Sequence, residues 1–302
     1  MLKDAGKTKE NPETKITKFW DYTEELAQRL KVAMYTFIAS TIIIMILPAD
    51  LSFLKDPLKY YQPLVAVILR KIREDSLPPH VKLIGLELVA PIQLYIIASI
   101  IFGAAITFPI ILYEIYKFIE PALYPHEKKD LYPFLFSFLA LFISGLIFGY
   151  KILTPYLMWA MMPFFSAVGA EMTISIMDFY SLLLLTTLAT GLFFTFPVFF
   201  VLLVKYEIVS TEVITKNRRY VYAALFILTA IITPDGGQIG NIILLVPMIL
   251  LLEIGVLFAK RYEKKEVKRR IQFFHKEPRC KFCGEILQDG MIFCPKCGRS
   301  QK

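Results

Sequence analysis

The sequence predicts an all-α polytopic membrane protein. Three observations carry that prediction. Of the 302 residues 56% are hydrophobic and mean hydropathy is +0.55, well above what soluble domains show. The apolar residues gather in runs of about 20 uncharged positions, the length a helix needs to cross a bilayer. Short polar segments rich in proline and charge separate the runs.

The chain divides into three units. Residues 1–31 form a polar segment with no apolar core of the kind a cleavable signal peptide needs. Within it, Phe19 to Lys31 is amphipathic, with Thr23 as a helix cap and Trp20 and Tyr22 at headgroup level. Residues 32–262 form the membrane unit. Its first span, Val32 to Leu47, is short at about 16 residues. Asp50 to Leu88, with Pro57, Pro63, Pro78 and Pro79, reads as an extramembrane cap carrying short interfacial helices. Span two, Ile92 to Tyr113, contains Gly103 and Pro109, which predict a kink.

Phe118 to Lys129 follows, reading Phe-Ile-Glu-Pro-Ala-Leu-Tyr-Pro-His-Glu-Lys-Lys. Pro121 and Pro125 disfavour helical geometry at the residues before them, so the segment reads as a stiff surface loop presenting Glu120, His126 and Glu127. Span three runs from Leu131 to Tyr150. Its apolar character continues to Val168, which predicts a protruding helix or a break near Pro155. Span four, Phe179 to Val204, has Pro197 inside and about 26 residues, enough to tilt. Val221 to Thr233 has only about 13 uncharged residues, too few for a core of about 30 Å. Thr233-Pro-Asp-Gly-Gly237 is a turn by composition. Ile242 to Ala259 closes the unit, interrupted by Glu253. A short helical pair gives six spans; a re-entrant hairpin, giving four, is the alternative.

Charge sets the orientation. Twenty-seven of the 34 Lys and Arg residues lie in 1–31, 114–130, 205–219 and 260–302; the other seven lie in 48–91 and 151–178. Both termini and the Phe118 segment are therefore expected in the cytoplasm. The net charge of +8 fits orientation and anionic lipid rather than nucleic acid.

Ionisable residues inside apolar runs are candidates for function. Glu253 is the foremost. Glu114 and Lys117, one turn apart, are placed to pair or to snorkel, and Lys151 and Lys205 to snorkel. Metal chemistry belongs to the third unit, 278–302. Cys280-Lys-Phe-Cys283-Gly and Cys294-Pro-Lys-Cys297-Gly hold all four cysteines. Two such knuckles about ten residues apart make a zinc-ribbon pattern for one structural Zn²⁺. So short a unit needs a metal staple to fold, and cytoplasmic thiolates stay reduced. With four protein ligands no position remains for catalysis. No Gly-x-Ser-x-Gly, His-Glu-x-x-His or phosphate loop occurs, so no enzyme is expected.

The Phe118–Lys129 segment closely resembles the first cytoplasmic loop of TatC, the multispanning subunit of the twin-arginine protein translocase. Pro109 through Tyr113-Glu114, Gly191 through Thr195-Phe-Pro197, Arg218-Arg219-Tyr220, Ile232-Thr-Pro-Asp235 and Pro247 through Glu253-Ile-Gly255 are similar to its later motifs. Glu25-Leu26 and Arg29-Leu30 resemble its N-terminal motif. The resemblance covers roughly residues 19–265. It implies an inner-membrane receptor in the export of folded proteins. Glu25 and Glu127 would bind the paired arginines of a signal peptide, with Phe118, Leu123 and Tyr124 shaping the site. Pro57, Thr195, Asp235 and Glu253 are the structural or partner-facing candidates. Small single-span Tat subunits, twin-arginine precursors, lipid and a second copy of the chain are the implied partners. The family usually has Glu where Thr195 stands and Arg where Ala27 stands, and the zinc ribbon is an addition. The rival expectation is a divergent homologue that no longer translocates, acting as a zinc-tailed scaffold or a solute transporter.

Overall fold

Helices dominate because the apolar runs leave no water to satisfy a backbone except through its own i→i−4 bonds. The computed structural model describes residues 12–49, 62–78, 81–122, 125–169, 171–206, 208–232, 238–274, 280, 282–283, 293 and 295–300. The first helix, α1, spans Pro12–Ile46. It joins the expected amphipathic stretch and the first span into one rod. Neither Gly nor Pro occurs between Pro12 and Pro48, so nothing interrupts it. Thr23 is therefore not a cap. It lies inside α1, and its hydroxyl donates to the Trp20 carbonyl at 2.8 Å.

The cap segment supplies α2, Leu64–Ser76, and a short strand β1, Lys82–Ile84. β1 pairs in parallel with β2, Thr173–Ser175, in the register Lys82 to Thr173. α2 is amphipathic and buries Val65, Leu69 and Ile72 on the bundle. The Tyr180 hydroxyl donates to the Leu69 carbonyl at 2.9 Å and fixes it there.

α3, Ala90–Ile119, runs continuously through Pro109. A single 3-10 turn, Glu120–Ala122, follows. α4 then begins at Pro125 and reaches Phe148. The expected loop is thus helical through Ala122 and again from Pro125. Pro125 starts the helix because a first-turn proline loses no hydrogen bond and already has helical φ.

The break expected near Pro155 is a widened turn, Gly149–Leu153. The Thr154 N–H and the Thr154 hydroxyl both donate to the Gly149 carbonyl, five residues back. A turn widened in this way shifts the bonding register by one residue just before Pro155, which has no N–H to donate. α5, Thr154–Val168, ends at Gly169, whose φ of +71° closes the helix in the left-handed region.

α6, Ile176–Phe194, and α7, Phe196–Lys205, form one broken span around Thr195. After the short α8, Thr211–Lys216, come α9, Arg218–Ile232, and α10, Gln238–Phe274. Among the described residues, five helical stretches are long and apolar enough to cross a membrane: Tyr22–Ile46, Ala90–Ile119, Tyr132–Val168, Ile176–Lys205 and Gly240–Glu263. α9 is the short member of the expected last pair, 15 residues, or about 22 Å. Its partner α10 does not stop at Glu253, because that carboxylate is matched across the pair. Arg218 Nη2 lies 3.2 Å from Glu253 Oε2, and the Tyr222 hydroxyl donates to Glu253 Oε1.

Two cores hold the bundle. One gathers Leu157, Val201, Leu225, Leu244, Met248 and Leu252. The other gathers Val65, Leu94, Ala98, Phe179 and Leu183 under the cap. Isoleucine and phenylalanine remain exposed along the outward faces, such as Ile43, Ile106, Phe136 and Ile231, as a lipid-facing surface requires.

Candidate functional site

α1 and α3 lie side by side because small residues let them approach. A Cβ added at Gly103 would sit 3.1 Å from the Thr41 Cα, and the hydroxyls of Ser40 and Thr107 meet at 2.8 Å. This contact aligns the charged ends of the two helices. Arg29 and Glu25 share one face of α1, one turn apart. Arg29 Nη2 donates to Glu25 Oε1 at 2.6 Å and Nε donates to the same oxygen at 3.2 Å. Arg29 Nη1 donates to Glu114 Oε2 on α3 at 3.4 Å. Two carboxylates thus converge on one guanidinium. Glu114 does not pair with Lys117. Lys117 turns over the Tyr113 ring, 4.8 Å from its centroid, because Arg29 already occupies the carboxylate.

An aromatic platform flanks the cluster. The Tyr113 and Tyr116 rings are 6.4 Å apart, and Tyr116 and Tyr132 are 5.4 Å apart. Phe118 is half-buried at the end of α3, with Glu120 opening the turn that follows. Glu127 falls in the first turn of α4, and its side chain lies outside the described ones. Leu123, Tyr124, Pro57, Asp235 and Cys294 also lie outside the described residues. Chemically, two carboxylates converging on one guanidinium is an arrangement suited to holding an arginine. Glu25 was named through the resemblance of its motif. The Arg29–Glu114 contact was not legible, since 85 residues separate the two.

The other candidates lie elsewhere. Thr195 sits at the α6–α7 break, its hydroxyl donating to the Leu192 carbonyl at 2.6 Å. It borders an open depression of about 420 Å³ with Phe138, Phe193, Phe196 and Phe199. Glu253 is held by Arg218 and Tyr222 as described. Lys151 lies 3.6 Å from Asp75 Oδ2. Lys205 does not snorkel: its buried ammonium faces the rings of Phe134 and Tyr262, 4.7 and 5.7 Å from their centroids. The two rings, tilted 42° to each other, attract the cation through their faces.

In the tail, Cys280, Cys283 and Cys297 place their sulfur atoms within 4.8 Å of one another. Cys280 and Cys297 are 3.5 Å apart, far beyond a disulfide bond of about 2.05 Å. Four thiolates about 2.3 Å from a zinc ion would be spaced about 3.8 Å apart. The Phe282 N–H donates to Cys280 Sγ at 3.4 Å, and Gly298 follows Cys297 with φ +68°. Desolvation pushes the Cys280 thiol up, but N–H donation from Phe282 and Cys283, with hydrogen bonds from Cys283 and Cys297, outweighs it and lowers the pKa to about 6. These residues fit a metal ion, which would cross-link the two knuckles.

Comparison with known proteins agrees with the geometry. The family described as Sec-independent protein translocase protein (TatC) matches residues 21–247. TatC of Aquifex aeolicus is 30% identical over 247 residues, covering 81% of this chain and 99% of that protein. TatC of Escherichia coli K12 is 34% identical over 175 residues, 58% of this chain and 66% of that protein. A crystal structure described as the twin arginine translocase receptor TatC aligns with a TM-score of 0.64 at 29% identity, covering 80% of this chain and 99% of that one.

Proposed function

The chain belongs to the TatC family, a membrane component of a Sec-independent protein translocase and not an enzyme, and from that premise we propose that it is a receptor for twin-arginine signal peptides. One observation carries the reading. Glu25 grips a guanidinium at 2.6 and 3.2 Å where α1 meets α3, immediately before the Phe118–Lys129 segment. Glu127, one turn into α4, is the second carboxylate of the receptor. Phe118, Leu123 and Tyr124 shape the surface against which the peptide lies. The small single-span Tat subunits are the partners at the Thr195 depression, where the usual carboxylate is missing. The membrane is the prokaryotic inner membrane, with both termini in the cytoplasm, because 27 of the 34 basic residues fall on that side. Residues 278–302 form a separate cytoplasmic zinc ribbon.

The test is a titration of purified protein with two peptides, one bearing paired arginines and one paired lysines. Glu127→Gln keeps size but loses the charge and one acceptor oxygen. The arginine peptide loses a fork-to-fork contact of roughly 1.5–3 kcal/mol, about one to two decades in affinity. The lysine peptide, a point charge, loses less. Unchanged affinity for both peptides would reduce Glu127 to a counter-ion for Lys128 and Lys129. Equal loss for both would mean attraction of positive charge without reading arginine.

A further inference from the structure

Arg29 occupies the carboxylate that an incoming arginine needs. Both of its bonds to Glu25 fall on one oxygen, Oε1, so the grip is side-on to a single acceptor. Its third contact, to Glu114 at 3.4 Å, is longer than a formed charge-assisted bond of about 2.7–2.9 Å. One guanidinium therefore stands between a near carboxylate on its own helix and a farther one on α3. The side chains of Arg29 and Glu25 are 22% and 36% exposed, so water and solutes reach the pair.

Resting on the receptor reading, we propose that Arg29 is an internal stand-in for the substrate guanidinium, holding Glu25 in the empty receptor and moving to Glu114 when a signal-peptide arginine takes Glu25. Arg29 and Glu114 are then positioning residues that set how readily Glu25 is released. Three considerations support this. Without Arg29 the empty end of the bundle would place Glu25 and Glu114 close together with like charge, which is unfavourable. Exchanging one guanidinium for another on Glu25 leaves no carboxylate bare at any stage, because Glu114 receives the displaced one. The half-buried Arg29–Glu25 pair meets through a single acceptor oxygen, so an incoming bidentate arginine can displace it.

The sign of the effect tests the proposal. The full-length protein is titrated with the paired-arginine and paired-lysine peptides. Arg29→Lys keeps the charge and gives up the planar fork, so the arginine peptide should bind about two- to fivefold more tightly. Glu114→Asp keeps its charge but shortens the acceptor, so the same peptide should bind about two- to fivefold more weakly, with a smaller change for the lysine peptide. That loss should vanish in the Arg29→Gln background, where nothing needs to be received. A merely structural brace predicts the opposite sign: Arg29→Lys would weaken binding and lower the unfolding temperature. Weaker or unchanged binding by Arg29→Lys overturns the stand-in. Should that variant not fold, a Glu114→Asp loss that persists beside Arg29→Gln, or equals the loss for lysine, overturns it instead. If wild type prefers arginine over lysine and Glu127→Gln removes the preference, the receptor reading survives such a failure. If wild type shows no preference, both readings fall.

Discussion

Gly145 and Gly149 let α4 lie against α6 with backbone touching backbone. A Cβ built on Gly145 would sit 2.8 Å from both the Gly191 Cα and the Thr190 carbonyl oxygen, and one on Gly149 would sit 2.9 Å from the Thr187 Cα. Small residues four apart are how membrane helices pack closely without a hydrophobic driving force. Gly145→Ala must push two helices apart, because the obstructing atoms are main chain. It should destabilise the protein by roughly 1–3 kcal/mol, read as a lowered unfolding midpoint in detergent. Gly85→Ala is the control: its nearest neighbour would be the tip of Ile176 at 3.7 Å, and the change should stay within about 0.5 kcal/mol. At this scale the sequence was informative where a residue's environment is local. Glu25 was named through the resemblance of the local motif around it. Lys205 and Glu114 stood out as ionisable residues in or beside apolar runs, but their partners Phe134, Tyr262 and Arg29 could not be read, since these come from other helices and spacing along one helix is blind to them.

Elements were legible by length and proline position, and less so by their ends. The apolar runs marked the spans and Pro155 the widened turn; Pro197 was visible inside span four, but the break it sits beside at Thr195 was not foreseen. The β1–β2 pair was invisible, because strands of three residues separated by some ninety positions carry no periodicity of their own. The Phe118 segment was read as a loop because proline stiffens loops; the same residue also opens helices, and Pro125 does so here. The cysteine tail gives an element-scale prediction. Cys280 has its pKa lowered to about 6 from 9.0, so its contribution is full above about pH 9 and shrinks below. It is gone once the pH falls through about 6. Zinc content of the full chain, measured after equilibration with a chromogenic chelator, should hold at pH 7–8 and fall steeply between about pH 6.5 and 5 as protons displace the metal from thiolate. Cys297→Ser should release the metal at pH 7.5. A full-length protein that carries no zinc at pH 8 would remove the ribbon.

At the scale of the whole molecule, two pairs of contacts fix which segments share an end. β1 beside β2, with Lys82 Nζ 3.5 Å from Glu171 Oε2, puts the cap and residues 171–175 at one end. Arg29 beside Glu114 puts the start of the α1 span and the end of α3 at the other. The parity of crossings therefore follows from contacts alone, independently of charge. Contacts give parity, and the absolute side we propose comes from the basic residues: 27 of the 34 lie in 1–31, 114–130, 205–219 and 260–302, against seven in 48–91 and 151–178. Each Lys or Arg held near an anionic cytoplasmic leaflet is favoured by about 1 kcal/mol, so the excess favours that side. Reporters fused after Lys302 or within residues 125–130 should accordingly read as cytoplasmic, and one within residues 172–178 as external. The contacts make the three results dependent. The 125–130 and 172–178 reporters must disagree whichever way the protein inserts, so agreement between them would overturn the helix count from α4 to β2. An external signal from 125–130 with a cytoplasmic one from 172–178 would keep the fold, invert the protein, and end the receptor reading, because signal peptides would then meet the wrong face.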